Sequence, residues 1–364
     1  MNRVKFRLLL ILFLVFSLAK SFAADGKYKK IKVVKQSFDV SMQSSVHIEN
    51  SYGNVNVSTW QQNNVEVEVK IEVTGDHKED LDERLNEIQI KLFQENGDVF
   101  GKTDLENVSS YSTWSWITLF GRKKTKGVSF KINYFVKMPV DNQLFIDNEY
   151  GNIYIDVLNG SLDLKADYGK FDIGELNAGQ NRIQVDYFSS SNLDFIKNGT
   201  IEADYSKIDI NNAYFLDIKA DYTKINIGKV RKLYFSNDYG SIRVDDAMWV
   251  EGEGDYQTRY FANINYLDFK GDYGSIKIET LRPDFEKIRL VCDYTNVKII
   301  NTQQAAYHFY MDQDYGCFKY DNLKVYKQIE ESGNKHIVAV YGNENTNSSI
   351  KINSDYGCVK IYNN

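Results

Sequence analysis

The chain has 364 residues, with 26 tyrosines and 21 phenylalanines but only two prolines, a composition weighted toward strand. Its formal net charge is −6 with acidic and basic residues interspersed, which speaks against the concentrated basic footprint of a nucleic-acid binder. The three cysteines, Cys292, Cys317 and Cys358, all lie in the last quarter and none has metal-ligand spacing.

At the N-terminus, Arg3, Lys5 and Arg7 precede an apolar run from Leu8 to Leu18 interrupted only by Ser17, and Ser21-Phe22-Ala23 supplies small residues where a signal peptidase reads them. This pattern predicts a signal peptide over 1–23 and an exported chain, in the periplasm or on the cell surface. The apolar run is shorter than the about 20 residues a spanning helix needs, and no second apolar span follows, so no transmembrane span is expected after cleavage.

Residues 24–140 read as an N-terminal β-rich capping segment. Val65-Glu66-Val67-Glu68-Val69-Lys70-Ile71-Glu72-Val73 alternates as a half-buried strand does, and Leu81, Leu85 and Ile88 lie on one face of a single short helix. Further strands are expected at 31–41, 87–94 and 127–138. Residues 105–126 form a loop carrying Trp114, Trp116 and Arg122-Lys123-Lys124. It reads as a binding or membrane-surface element, or as a hairpin tip packed on itself, which general loop behaviour favours.

From residue 141 to 364 the chain repeats. Asp-Tyr recurs at Asp167-Tyr168, Asp186-Tyr187, Asp204-Tyr205, Asp221-Tyr222, Asp238-Tyr239, Asp255-Tyr256, Asp272-Tyr273, Asp293-Tyr294, Asp314-Tyr315 and Asp355-Tyr356, after Glu149-Tyr150 and an isolated early copy at Tyr52. Most intervals are 17 to 21 residues. An apolar residue stands four places before nearly every Tyr, as at Leu164, Ile201 and Ile218, and apolar residues stand three and five places after, as at Ile208 and Ile210. One repeat therefore reads as strand, corner, strand and a short third segment. A 17-residue coil has a perimeter of about 56 Å, and identical positions recur because stacked coils repeat one environment. The expected fold is all-β: a parallel β-helix, or β-solenoid, of about 17–21 residues per coil. Its long interval from Tyr315 to Tyr356 is either two coils, with Tyr341-Gly342 marking the intervening one, or one coil carrying a hairpin insertion at 323–342.

The phrase Val136-Lys137-Met138-Pro139-Val140-Asp141, leading into Leu144-Phe145-Ile146-Asp147-Asn148-Glu149-Tyr150-Gly151-Asn152-Ile153-Tyr154-Ile155, resembles the "putative adhesin" β-helix domains of exported Bacteroidota proteins, including the auto-transporter adhesin head type. Tyr52-Gly53-Asn54-Val55-Asn56-Val57, followed by Trp60, is similar to the start of such domains. The resemblance implies a right-handed parallel β-helix with an adhesin-like role, and it offers no catalytic residues to carry over.

Two readings of the Asp column remain. The carboxylates form a like-charge ladder and a Ca²⁺ candidate at Asp204, Asp221, Asp238, Asp255 and Asp272, or each accepts a backbone N–H two residues on and closes its corner, which turn chemistry favours. Parity places the repeat-corner tyrosines, including Tyr168, Tyr205, Tyr222, Tyr239 and Tyr273, inward or in the corner as a stacked column, the alternative being outward rings that stack on sugars. Cys317 and Cys358 share one coil position and become a candidate disulfide if 323–342 loops out. The open last coil, ending at Val359-Lys360-Ile361-Tyr362, is expected to be covered by that hairpin or to meet a second copy end to end.

His47, His77, His308 and His336 are scattered, and an identically repeated Asp is unlike the unique constellation catalysis needs. The leading expectation is an exported, non-enzymatic, adhesin-like binding or scaffold protein of the cell envelope, without cofactor, whose partner is a glycan or envelope protein and not nucleic acid. The alternative is a polysaccharide-active β-helix enzyme.

Overall fold

Strict alternation gives each strand one inward and one outward face, and parallel pairing one repeat apart aligns those faces over most of the chain. The computed structural model describes residues 26–105 and 127–363. The expected leader and the loop residues Trp114, Trp116 and Arg122-Lys123-Lys124 lie outside the described residues. What is described is all-β, a hydrogen-bonded sheet of 26 strands with one helix, Lys78–Glu87. Among the described residues no helix is long and apolar enough to cross a membrane.

In the middle of the chain each strand runs nearly from corner to corner: Ser191–Asp204, Lys207–Asp221, Lys224–Asp238, Ser241–Glu253 and Gln257–Lys270. The expected third segment is thus continuous with its neighbours. Successive strands pair in parallel and in register, with Ile208 opposite Ile225, Ile218 opposite Phe235, and Asp204 opposite Asp221. The inward columns are Ile, Val, Leu and Phe and are buried.

One repeat breaks the apolar rule inside. Where neighbours place Ile242 and Ile276, the chain has Arg259, fully buried, and where neighbours place Phe235 and Phe269 it has Gly252. The two changes are coupled by volume. A Cβ on Gly252 would meet the Phe235 ring at 2.1 Å, and the guanidinium carbon of Arg259 lies 4.2 Å from the Phe269 ring centroid. Its Nη2 donates to the Gly254 carbonyl, while burial pulls its pKa down to about 10.

The early Tyr52 repeat belongs to the same stack. Ser45–Ser51 and Val55–Trp60 pair in parallel with Gln143–Glu149 and Ile153–Leu158, Val46 opposite Leu144 and Val55 opposite Ile153. On their other side lie Asp98–Asp104 and Ser129–Pro139, also parallel. Antiparallel strands Tyr28–Asp39, Asn64–Gly75 and Gln89–Glu95 complete this end, and the helix sits on it with Leu81 buried. The expected strands and helix of this segment are therefore present, together with Ser45–Ser51, Val55–Trp60 and Asp98–Asp104.

The far end departs from chain order. The last strands, Ser349–Asp355 and Cys358–Asn363, insert between the repeat of Lys287–Val291 and Thr295–Asn301 and the repeat of Tyr307–Asp314 and Cys317–Tyr320. The expectation that Val359–Tyr362 forms an open last coil is thus corrected: the final strand has a neighbour on each side. A hairpin of Lys324–Glu331 with Asn334–Tyr341 forms within 323–342, but it pairs antiparallel with Tyr307–Asp314 rather than covering the final strand. Antiparallel pairing ends the parallel register there.

Candidate functional site

Each corner turns on a tyrosine in the left-handed region. Twelve tyrosines, from Tyr52 to Tyr356, have φ between 50° and 63°, a conformation that a side chain with a Cβ adopts at a cost. The expectation that parity points them inward is corrected here. Strand alternation holds only for extended backbone, and one left-handed residue turns its side chain out, so these rings are 42% to 63% exposed. Tyr168, Tyr205, Tyr222, Tyr239 and Tyr273 are corner residues as read, but on the outer surface.

The rings form one continuous stack. From Tyr52 through Tyr150, Tyr168, Tyr187, Tyr205, Tyr222, Tyr239, Tyr256, Tyr273 and Tyr294, then Tyr356 and finally Tyr315, neighbouring centroids lie 4.7 to 5.4 Å apart and the planes are within 12° of parallel. Ring faces are spent on each other, and what meets solvent is a row of phenol edges. For Tyr168, Tyr205, Tyr239, Tyr273 and Tyr356 the phenol pKa is held above its ordinary value, first by loss of solvation, then by neighbouring phenols and aspartates.

The aspartates close the corners between repeats. The backbone N–H of Tyr205 donates to the Asp221 carbonyl at 3.0 Å, and the N–H of Asp221 donates to Asp204 Oδ1 at 3.0 Å. The same side-chain bond joins Asp186 to Asp204, Asp221 to Asp238, Asp238 to Asp255, Asp255 to Asp272 and Asp272 to Asp293. The expected acceptance from two residues onward within one turn is therefore replaced by acceptance from the next repeat, because the bend leaves that N–H without a strand partner. The calcium candidates Asp204, Asp221, Asp238, Asp255 and Asp272 stand in one column, each with Oδ1 engaged in this way. Among the described residues no three acidic, His or Cys side chains gather as a metal-binding group. Burial and the neighbouring carboxylates raise the pKa of Asp186 and Asp293, against the lowering effect of the backbone bond each accepts.

After the tyrosine, Ser or Thr can replace Gly because the hydroxyl works in the corner. Thr223 Oγ1 donates to the Ala203 carbonyl at 2.9 Å and accepts the Ser206 N–H at 3.0 Å. Nothing in the repeat pattern distinguishes this from a tolerated variation.

Cys317 and Cys358 sit opposite each other on paired strands and are bonded, with Cα atoms 4.5 Å apart. Cys292 points inward, and burial pushes its thiol up to about 12. The histidines do not converge: His47 stacks between Phe100 and Phe145, while His336 meets Asp312 at 2.6 Å on the opposite end.

Two outward features escaped the repeat reading. A groove of about 780 Å³ opens on the outer surface, lined by Phe145, Gln180, Arg182, Asn198, Glu202 and Phe215 among others. Trp249 and Tyr266 stack at 3.6 Å with Lys232 and Lys287 over their outer faces. Both depend on which residues of different repeats come into register, which local spacing does not disclose.

No family model and no curated protein sequence matches the chain. Its solved structural neighbours include a "putative cell adhesion protein" from Clostridium sporogenes, at 11% identity over 92% of this chain and 100% of that one, with a TM-score of 0.19. "Putative adhesins" from Parabacteroides distasonis and Bacteroides fragilis match at 10% and 12% identity, over 91% and 92% of this chain and 97% of each of theirs, with TM-scores of 0.33 and 0.26. At these scores the likeness bears on neither ligand nor activity.

The left-handed corner inverts the usual ranking of small substitutions. Tyr222→Ala loses two stacking contacts and keeps the strained backbone, and is expected to destabilise by about 1–3 kcal/mol. Tyr222→Gly loses the same contacts but relieves the backbone, so it should be more stable than the alanine variant by about 1 kcal/mol. Denaturant melts of the two variants check the order, and alanine equal to or above glycine would contradict it.

The raised phenols also predict an alkaline limit. The folded chain holds these protons more tightly than the unfolded chain, whose phenols titrate near 10.0. Their contribution to stability is therefore complete below pH 10 and is lost as pH rises through the folded values. The melting temperature should fall over that range while phenolate absorbance develops above the ordinary midpoint. Ionisation at or below that midpoint would contradict the desolvated stack.

Proposed function

We propose that the chain is an exported, non-enzymatic parallel β-solenoid that acts as an adhesin-like binding scaffold of the cell envelope, recognising a glycan or an envelope protein along its outer columns. The observation that carries this reading is the tyrosine stack, in which one surface chemistry is presented at every repeat over nearly the whole molecule. Such a surface suits a partner that is itself extended and repetitive. In-register parallel pairing at the 17-residue period supports the solenoid, and the charged, apolar and small-residue segments up to Ala23 support export. Catalysis asks for groups whose environments are pushed apart, whereas the Asp column offers nearly the same environment repeatedly.

The groove with Arg182 and Glu202, 3.5 Å apart, is what favours the second reading, a polysaccharide-active enzyme. Binding of the purified chain beginning at Ala24 to a panel of neutral and acidic polysaccharides and to envelope fractions separates the two. The scaffold reading expects saturable, reversible retention on at least one member with no new reducing ends. Release of oligosaccharides would instead establish the enzyme, and failure to bind any member would overturn the scaffold.

A further inference from the structure

Four residues after each ladder tyrosine, the side chain points outward on the strand that leaves the corner. In the repeats of Tyr239, Tyr256, Tyr273 and Tyr294 this residue is Arg243, Tyr260, Lys277 and Lys298, and in those of Tyr356 and Tyr315 it is Lys360 and Lys319. Register places them side by side in that order: Arg243 opposite Tyr260, Tyr260 opposite Lys277, Lys277 opposite Lys298, Lys298 opposite Lys360, and Lys360 opposite Lys319. The insertion of the last strand is what puts Lys360 between Lys298 and Lys319. Four lysines thus stand in single file on an otherwise acidic protein.

Part of this charge is answered locally. Arg243 Nε pairs with Asp245 at 2.8 Å and Lys277 with Glu279 at 3.0 Å. Lys298 lies over the Tyr362 ring at 5.6 Å, and Lys298, Lys360 and Lys319 form no ion pair among the described residues. Asp321, two residues beyond Lys319, is the other acid at this end of the column. The column two residues nearer the corner is neutral, with Ser275, Asn296, Cys358 and Cys317. Like charges directly opposed on paired strands are destabilising. Signs are mixed where Asp163 stands opposite Arg182 and Glu202 opposite Lys219. They are alike in the corner aspartates and where Lys207 stands opposite Lys224, but the aspartates accept backbone N–H bonds. Guarding an edge strand with lysine accounts for Lys319, on the outermost strand, but not for Lys298 and Lys360, which have strands on both sides.

The geometry points to a docking surface for an extended acidic polysaccharide carrying one carboxylate per sugar, laid along Lys277, Lys298, Lys360 and Lys319. This rests on the scaffold reading above and names its ligand class. The charges recur at the repeat spacing, which the neighbouring tyrosine rings mark at 4.9 Å, the scale of a single sugar in an extended chain. A single-stranded nucleic acid needs aromatic faces on which bases can stack, and the nearby faces are taken. Tyr260 is held between Arg243 and Lys277, at 3.9 and 5.1 Å, and Phe318 stacks between Phe309 and Tyr320.

Binding of the chain beginning at Ala24 is measured against polygalacturonate, a neutral polysaccharide and an oligo-dT strand, for the native sequence, for K298Q/K319Q/K360Q and for K298R/K319R/K360R. The native chain should bind polygalacturonate with an affinity that weakens as salt screens the column. The glutamine variant should lose at least about tenfold and the arginine variant should keep the affinity within about threefold, since charge and not lysine identity is read. Glutamine and native chains binding equally, or oligo-dT binding as tightly as polygalacturonate, would overturn the assignment. Binding of the neutral polysaccharide alone would overturn it while leaving the scaffold reading intact, and binding of none of the three would remove this ligand class and count against that reading as well.

Discussion

The fold depends on a left-handed corner that is occupied by tyrosine rather than glycine. A residue with a Cβ in that region costs roughly 1–2 kcal/mol, and an offset-stacked aromatic pair contributes roughly 0.5–1.5 kcal/mol. One new ring contact per repeat is therefore of the size needed to offset one strained corner. The offset exists only if the next repeat places its own ring in the same spot. Strain and stacking are thus coupled: a corner alone is unfavourable, and a corner among its copies is not. From Asp186 to Asp293 and again at Asp355, the aspartate before the tyrosine reinforces this coupling by accepting the N–H that the bend strands, again from the next repeat.

Much of this was legible in the chain because one environment recurs. The Asp-Tyr spacing, the apolar residues four before and three and five after, and the candidate pairing of Cys317 with Cys358 all follow from stacking one repeat on another. Three things did not. The direction of the tyrosines was hidden because parity was carried through a residue that is not extended. The role of Asp was hidden because its partner is 17 or more residues away rather than two. The position of the final strand was hidden because Tyr294, Tyr315 and Tyr356 carry the same local pattern and nothing in it says which pair are neighbours.

That last ambiguity has consequences for the surface. Inserting Ser349–Asp355 and Cys358–Asn363 ahead of the previous repeat brings Cys358 against Cys317 and Lys360 between Lys298 and Lys319. The bond between the cysteines ties the inserted strand to the repeat that precedes it in sequence and follows it in space. Inside the stack, Arg259 and Gly252 show the tolerance of the scheme: one repeat can exchange an inward Ile for a guanidinium if its neighbour across the interior gives up a side chain. Inward columns can therefore change together, in compensating pairs, while the corners stay the same.

The coupling between adjacent corners is most directly tested by a double-mutant cycle on Tyr222 and Tyr239, whose ring centroids are 4.9 Å apart, using glycine at each position so that the backbone strain is relieved in every variant. If the rings stabilise the stack by contact with each other, the two losses are non-additive and the double variant is more stable than the sum of the single effects requires. Strict additivity would mean that each ring acts alone, and the tyrosine stack would not be what holds successive corners in register.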